Sequence, residues 1–210
     1  MNILELINIG SKQLRSKKIP SHIIDAEILL SKTLNKTREE ILINLDKKIN
    51  KKSIYTYQKY LNRRSKSEPI AYILQEKEFW SNKFEVNRDT LIPRPETELL
   101  VEKLIDIYKE KRISILDIGT GSGCIIVSLL SSLKNSQGIG IDISKSATTT
   151  ARKNGIRHNL STRLKFLNRS LNDIFNKKFD LIVSNPPYIK RNDIKILIDD
   201  VKIFQPKIAL

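Results

Sequence analysis

The stretch ILDIGTGSGC, residues 115–124, decides the fold that this sequence predicts. Its apolar start has the composition of a buried strand, and three glycines follow at alternate positions, Gly119, Gly121 and Gly123. Glycine allows a tight turn and lets a ligand approach the backbone without a Cβ in the way. The next residues, CIIVSLLSSL, read as a helix whose first amide dipoles can face an electron-rich group of that ligand. The stretch therefore predicts a ligand-binding loop between a strand and a helix.

Three more apolar runs, GIGIDI, LKFL and FDLIV, follow this loop and are separated by helix-length segments. Strands that alternate with helices in this way form a parallel sheet covered on both faces. We therefore expect an α/β fold with a Rossmann-like parallel sheet in a domain of residues 94–210.

Residues 1–70 predict a separate helical domain, a small bundle of short amphipathic helices. Ser21 can cap the second helix, and the third opens at Thr37 with the capping-box pattern TREE. A fourth helix should run from about Ser53 to a pair of arginines. No catalytic constellation is visible in this bundle.

Residues 71–93 predict a linker hairpin between the two domains. Its β-like pieces are PIAYIL and FEVN, separated by a charged turn that contains Trp80. Pro95 then suits the first position of a helix, and the acidic residues after it suit the N-terminal dipole. One apolar face of this helix is expected to comprise Leu99, Leu100, Lys103, Leu104 and Ile107.

Asp142 ends the second strand of the predicted sheet. A carboxylate at this point can accept hydrogen bonds from both hydroxyls of a ribose, as in dinucleotide-binding folds, so the loop alone leaves NAD open. Against NAD, Cys124 occupies the place where the dinucleotide fingerprint has its third glycine or alanine. S-adenosylmethionine fits better, because it has a ribose but no pyrophosphate, and its methionine end can lie against the glycines. Cys124 itself reads as a small packing residue and not as a nucleophile.

The motif NPPY follows the fourth apolar run and comprises Asn185, Pro186, Pro187 and Tyr188. An Asn at the carboxyl end of a parallel strand lies in the crevice where α/β folds bind ligands. The Asn side-chain carbonyl and the next main-chain carbonyl can together bind both hydrogens of a planar NH2 group, while the prolines fix their geometry and the Tyr stacks on the substrate. The motif therefore predicts methylation of such a nitrogen, mainly by positioning for in-line transfer.

Composition excludes several other classes of protein. The single cysteine excludes an internal disulfide, and the isolated His22 and His158 show no metal-ligand spacing, so no metal is predicted. No apolar run has the length of a membrane span, and the N-terminus lacks signal-peptide features, which favours the cytoplasm. We also expect a monomer. A net charge of +15 and a pI near 9.8 would suit a polyanion, but the lysines are scattered, so nucleic acid is a secondary expectation.

Four motifs resemble those of a known family: IPRPETE, DIGTGSG, ID at residues 141–142, and SNPPYI. With EPIAYILQEKEFW before them, they are similar to the HemK/PrmC family of peptide chain release factor N5-glutamine methyltransferases. The resemblance implies a class I SAM-dependent methyltransferase fold. It also implies that the methyl acceptor is the glutamine of the Gly-Gly-Gln motif in bacterial translation release factors, which the N-terminal bundle helps to recognise.

The expected site residues fall into two groups. The cofactor-binding residues are Asp117, Gly119, Thr120, Gly121, Ser122, Gly123, Asp142 and Asn185. The catalytic residues are Asn185, Pro186, Pro187 and Tyr188. Within the first group, Asp117 should help to hold the amino end of the cofactor.

Two features depart from the family pattern. Residues 168–170, NRS, stand where such enzymes usually carry an acidic or aromatic residue near the adenine. The sequence ends at FQPKIAL, whereas in the family a similar FEP-x-x-AL segment precedes further helices and three last strands. We therefore expect a domain that lacks its C-terminal strands and leaves one sheet edge uncovered.

Other functions stay open at this point. An adenine-N6 methyltransferase on DNA or RNA would use NPPY equally well and would suit the basic charge, and a ribosomal-protein glutamine is another possible acceptor. A non-catalytic basic binding module, or a nonfunctional remnant, is the alternative from a different class. Salt-sensitive RNA binding without SAM binding would favour the binding module.

Overall fold

The computed structural model describes residues 1–173, 177–186 and 203–206, which divide into two compact units. The first unit comprises Met1–Leu74 and the second begins at Gln75. Each unit has an apolar core of its own. The domain boundaries expected after residues 70 and 93 stay predictions.

The first unit is a bundle of five helices. These are α1 (Ile3–Ser16), α2 (His22–Leu34), α3 (Arg38–Leu42), α4 (Lys51–Arg64) and α5 (Ile70–Leu74). The capping box of α3 is confirmed, because the Thr37 hydroxyl accepts from the Glu40 N–H at 3.1 Å and the Glu40 carboxylate accepts from the Thr37 N–H at 2.7 Å. The N-termini of two other helices differ from the prediction in detail. Ser21 makes no side-chain cap and donates instead to the Asp25 carboxylate, and Asn50 caps α4, which therefore starts at Lys51.

The PIAYIL segment is helical and not β-like, which corrects the prediction. The carbonyl oxygen of Pro69 accepts from the N–H groups of Tyr72 and Ile73, so the proline starts a helical turn that needs no N–H of its own. The hairpin is present, but its first strand is β1 (Glu76–Phe79), paired antiparallel with β2 (Asn82–Glu85). Trp80 and Ser81 both have positive φ, as a two-residue type I′ turn requires.

The second unit contains the predicted parallel sheet. Its strands are β3 (Ser114–Ile118), β4 (Gln137–Asp142), β5 (Leu164–Asn168) and β6 (Leu181–Ser184). Their order is β5-β4-β3-β6, all parallel, so β5 and β6 form the edges of the sheet within the described residues. The helices and short 3₁₀ segments of the second unit are η1 (Pro95–Thr97), α6 (Glu98–Tyr108), α7 (Cys124–Ser132), α8 (Lys145–Arg157) and η2 (Leu171–Asp173).

Helix α6 turns a different face to the core than predicted. Leu99 and Ile107 are 64% and 57% exposed, whereas Val101 is fully buried and Leu104, Ile105 and Tyr108 pack on the core. The helix carries two overlapping apolar stripes, and the one with spacing i, i+3, i+4, i+7 from Val101 is buried. Among the residues that the structure describes, no helix is both long and apolar enough to cross a lipid bilayer.

Candidate active site

A cleft of about 240 Å³ lies at the carboxyl ends of the parallel strands, where open α/β sheets bind ligands. Strand β3 contributes Ile118, strand β4 contributes Asp142, and strand β6 contributes Ser184. The glycine-rich loop after β3 forms part of the floor through Gly119 and Gly121. The topology therefore brings the glycines, the expected ribose carboxylate and the start of NPPY to one cavity, as their order along the sequence predicts.

The glycine-rich loop has the conformation of a ligand cradle. Gly119, Gly121 and Gly123 have φ of +69°, +56° and +80°, a region that residues with a Cβ rarely adopt. A Cβ on Gly123 would come within 3.1 Å of the Phe166 ring, so a larger residue would have to push the ring aside by a few tenths of an ångström. A Cβ on Gly119 would meet no atom within 4 Å, although this residue lines the cleft. Packing thus explains Gly123, while the open space at Gly119 fits a ligand held against the backbone.

Asp117 is buried at the end of β3 and is only partly satisfied. Its Oδ2 accepts from the Thr120 hydroxyl at 2.6 Å, whereas its Oδ1 has no partner of good hydrogen-bond geometry among the described residues. Burial, helped by the negative charge of Asp142, raises the pKa of Asp117 to about 7, although the Thr120 hydroxyl and the Ile126 backbone N–H oppose the shift. A buried carboxylate oxygen without a partner is compatible with a cationic amino group, directly or through water, as expected for the cofactor.

Asp142 lies at the end of β4 with its carboxylate held by two backbone amides. Its Oδ2 accepts from the Gly121 N–H at 3.0 Å, and its Oδ1 accepts from the Ser144 N–H at 2.9 Å. Each carboxylate oxygen can accept a further hydrogen bond. The side chain is therefore fixed in orientation and still able to bind a diol.

Asn185 and Pro186 line the same cleft. The strand end before them is fixed by the Ser184 hydroxyl, which donates to the Ile118 carbonyl at 2.9 Å. Pro187 and Tyr188 lie outside the described residues, so their expected roles stay predictions.

The other expected cofactor-binding residues do not line the cleft: Asp117, Thr120, Ser122 and Gly123. Thr120 and Ser122 are buried, and the Thr120 hydroxyl is used by Asp117. Cys124 starts α7, and burial raises the pKa of its thiol to about 12, which agrees with a packing role because the thiolate is the reactive form.

Sequence reasoning missed a wall of the cleft that comes from outside the sheet. Asp89, Thr90 and Leu91 line it, on the segment between the hairpin and η1. Asn87 fixes this segment: its side-chain oxygen accepts from the Asp89 N–H at 2.9 Å, and its side-chain amide donates to the Thr150 hydroxyl on α8 at 3.0 Å. The sequence carries one signal for this turn, the pattern Asn-x-Asp-Thr at residues 87–90, which is typical of a turn capped by a side chain.

Sequence reasoning also missed Asn154, a fully buried residue of α8. Its side-chain amide donates to the carbonyl oxygens of Ser122 at 2.9 Å and Glu85 at 3.0 Å, and its side-chain oxygen accepts from the Glu85 N–H at 2.7 Å. A polar residue in the middle of a helix gives no signal of such distant partners.

Comparisons with known proteins match both units. A family model described as the PrmC N-terminal domain matches residues 5–74, and one described as the methyltransferase small domain matches residues 95–203. The whole chain is 42% identical to a release factor glutamine methyltransferase of Buchnera aphidicola and 39% identical to one of Leptospira interrogans, and it covers 75% of each. It is 37% identical to a bifunctional methyltransferase of Rickettsia bellii, but spans only 43% of that protein's length.

Proposed function

The chain belongs to the release factor glutamine methyltransferase family, and we propose that it transfers a methyl group from S-adenosylmethionine to a glutamine side chain of a translation release factor. The acceptor in this proposal is the amide nitrogen of the glutamine in the Gly-Gly-Gln motif. One observation carries the proposal: the glycine-rich loop, Asp142 and Asn185 line a single cleft.

The described residues fit the cofactor at three points. Asp142 holds the ribose hydroxyls, the backbone at Gly119 and Gly121 admits the methionine end, and the free Oδ1 of Asp117 favours its ammonium group. When bound, S-adenosylmethionine supplies an electrophilic methyl group on a sulfonium sulfur. The protein's part is to hold this group beside Asn185.

Asn185 and Pro186 orient the acceptor. The Asn185 side-chain carbonyl and the Pro186 main-chain carbonyl accept hydrogen bonds from the two amide hydrogens and turn the nitrogen lone pair towards the methyl group. An amide nitrogen is neutral, so it needs no deprotonation before transfer. Transfer would leave the thioether of S-adenosylhomocysteine, and the methylated nitrogen would release one proton to water. Catalysis is thus mainly positioning, with Tyr188 stacking on the acceptor and Pro187 making the motif rigid.

In this proposal the first unit helps to recognise the release factor. The protein acts in the cytoplasm as a monomer. An adenine amino group in DNA or RNA is the second candidate acceptor, because NPPY suits any planar NH2 group and the chain carries a net charge of +15. Homology to release factor methyltransferases favours the glutamine.

The test is methyl transfer from labelled S-adenosylmethionine to a purified unmethylated release factor, to the same factor with Ala in place of the acceptor glutamine, and to DNA and RNA. We expect label on the glutamine, mapped by mass spectrometry, and none on the other three acceptors. Asn185→Ala should reduce transfer about 100-fold while cofactor affinity changes little, because it removes an acceptor contact.

Asn172→Ala, a change at an exposed asparagine, is the matched control and should leave transfer unchanged. Label on nucleic acid alone would reverse the choice of acceptor. Equal losses of transfer and of cofactor binding in Asn185→Ala would point to a structural role for Asn185.

A further inference from the structure

Several residues that line the cleft have no role in the proposed function. Asp142 binds the ribose, Gly119 and Gly121 face the methionine end, and Asn185 and Pro186 face the acceptor. The lining residues without an assigned role include Leu91, Ile143, Ala147, Leu171, Asp89 and Arg169. The first four are apolar and suit the faces of a flat base.

The exocyclic amine of an adenine is a hydrogen-bond donor and needs an acceptor when it leaves water. Residues 168–170 are the expected source, but they offer little. The side-chain amide of Asn168 donates to the carbonyls of Asp142 and Ile143, at 2.9 and 2.8 Å, so Asn168 is fixed as a support for the end of β4. Arg169 has donors only. The Ser170 hydroxyl accepts from the Asn172 N–H at 3.1 Å and keeps one lone pair, but it is a neutral acceptor and therefore weaker than a carboxylate.

Asp89 also lines the cleft, on the segment between the hairpin and η1, and supplies an acceptor. Among the residues that the structure describes, none forms a hydrogen bond or an ion pair with its carboxylate, while its backbone N–H is held by Asn87 at 2.9 Å. Asn87 is itself tied to Thr150 of α8, and the neighbouring Thr90 is buried, so the carboxylate projects from a fixed turn. The backbone that carries the carboxylate is thus held in place, and the exposed carboxylate has capacity to accept.

We propose that Asp89 accepts a hydrogen bond from the exocyclic amine of the cofactor's adenine and makes the site selective for an adenine base. Asp89 thus supplies the acidic group that is absent from residues 168–170. This inference rests on the proposed function only in its cofactor and not in its methyl acceptor.

The test compares two ligands by titration calorimetry: S-adenosylhomocysteine, and S-inosylhomocysteine, in which an oxygen replaces the exocyclic amine. The wild-type protein should bind the adenosyl compound about tenfold more tightly, as one hydrogen bond to a charged acceptor implies. Asp89→Asn should weaken the adenosyl compound by about the same factor and leave the inosyl compound unchanged or slightly tighter, because an amide can donate to the oxygen. Asp106→Asn, at an exposed carboxylate of α6, is the matched control.

Two results would overturn the inference. If Asp89→Asn weakens both ligands equally, Asp89 only shapes the turn, and if it changes neither, Asp89 does not touch the base. In both cases the cofactor assignment and the methyl transfer to a release factor are untouched. If the wild-type protein binds neither ligand, the proposed cofactor is wrong and the inference falls with it.

Discussion

The side-chain amide of Asn154 donates to the carbonyl oxygen of Ser122 at 2.9 Å and so ties helix α8 to the glycine-rich loop. Two further hydrogen bonds join the same side chain to the backbone of Glu85, at the end of the hairpin. One buried residue therefore fixes the loop that floors the cleft and the strand that leads into the turn at Asn87.

Asn154→Leu is expected to lower the free energy of unfolding by about 3 kcal/mol, because it removes the partner of one buried and two partly buried backbone groups. Urea unfolding followed by circular dichroism measures this change. Asn172→Leu, at an exposed position, should cost less than about 0.5 kcal/mol. A loss of the same small size in both variants would show that the Asn154 hydrogen bonds do not stabilise the unit.

Gly119 and Gly123 should respond to alanine in different ways. Gly123→Ala forces a Cβ against Phe166 and should lower the free energy of unfolding by about 1–2 kcal/mol. The thermal midpoint should then fall by several degrees. Gly119→Ala meets open space, so it should cost only the strain of a positive φ, about 1 kcal/mol, yet reduce binding of S-adenosylhomocysteine strongly. Differential scanning fluorimetry and calorimetry separate the two effects. Unimpaired binding by folded Gly119→Ala would contradict a ligand at that glycine.

Asp117 should make the free protein less stable as the pH rises from about 4 to about 7. Burial raises the pKa of Asp117 to about 7 in the folded protein from an ordinary value of 3.8, so within this window the folded state keeps a proton that the unfolded state has lost. The unfolded state binds fewer protons, and the free energy of unfolding therefore falls with pH, by up to about 4 kcal/mol, and levels off above pH 7.

The measurement is the difference in unfolding free energy between the wild-type protein and Asp117→Asn across this range. The variant lacks the titrating group, so the wild-type protein should lose stability relative to it as the pH rises. The same comparison with Asn172→Ala, an exposed change that removes no titrating group, should be flat. A flat difference for Asp117→Asn as well would mean that the Asp117 pKa is not raised.

Asp142→Ala should weaken binding of S-adenosylhomocysteine by about 10- to 100-fold, because it removes charged hydrogen bonds to the ribose. Asp142→Asn should lose less of this affinity, since its side-chain amide keeps one acceptor oxygen. Calorimetry with S-adenosylhomocysteine and with its 2′,3′-dideoxy analogue gives the test. Asp142→Ala should weaken the analogue less, and that smaller loss reports the hydrogen bonds of Asp142 to the Gly121 and Ser144 amides. Unchanged affinity in Asp142→Ala would refute the ribose assignment.

The parts of the fold that the sequence predicts correctly are those with local causes. The four parallel strands follow from continuous apolar runs, and the helix at Thr37 follows from a reciprocal pair three residues apart. The cleft follows from strand order, because the residues that end parallel strands must meet at one edge.

The failures have causes that lie elsewhere in the chain. The face of α6 was misjudged because two stripes share Leu104, and only the core decides between them. Asn154 forms hydrogen bonds with Glu85, 69 residues earlier in the chain, and the periodicity of a sequence does not predict such a distant partner. Asp89 lines the cleft on a turn that Asn87 ties to α8 through a hydrogen bond to Thr150, 63 residues further along the chain.

The two backbone amides that hold Asp142 affect the rate of binding as well as its strength. Gly121 and Ser144 keep the carboxylate in place before any ligand arrives, so the ribose meets a surface that is already arranged. Association should therefore be a single step whose observed rate rises linearly with ligand concentration and does not saturate. Affinity differences among ligands that share the ribose should then arise in their dissociation rates.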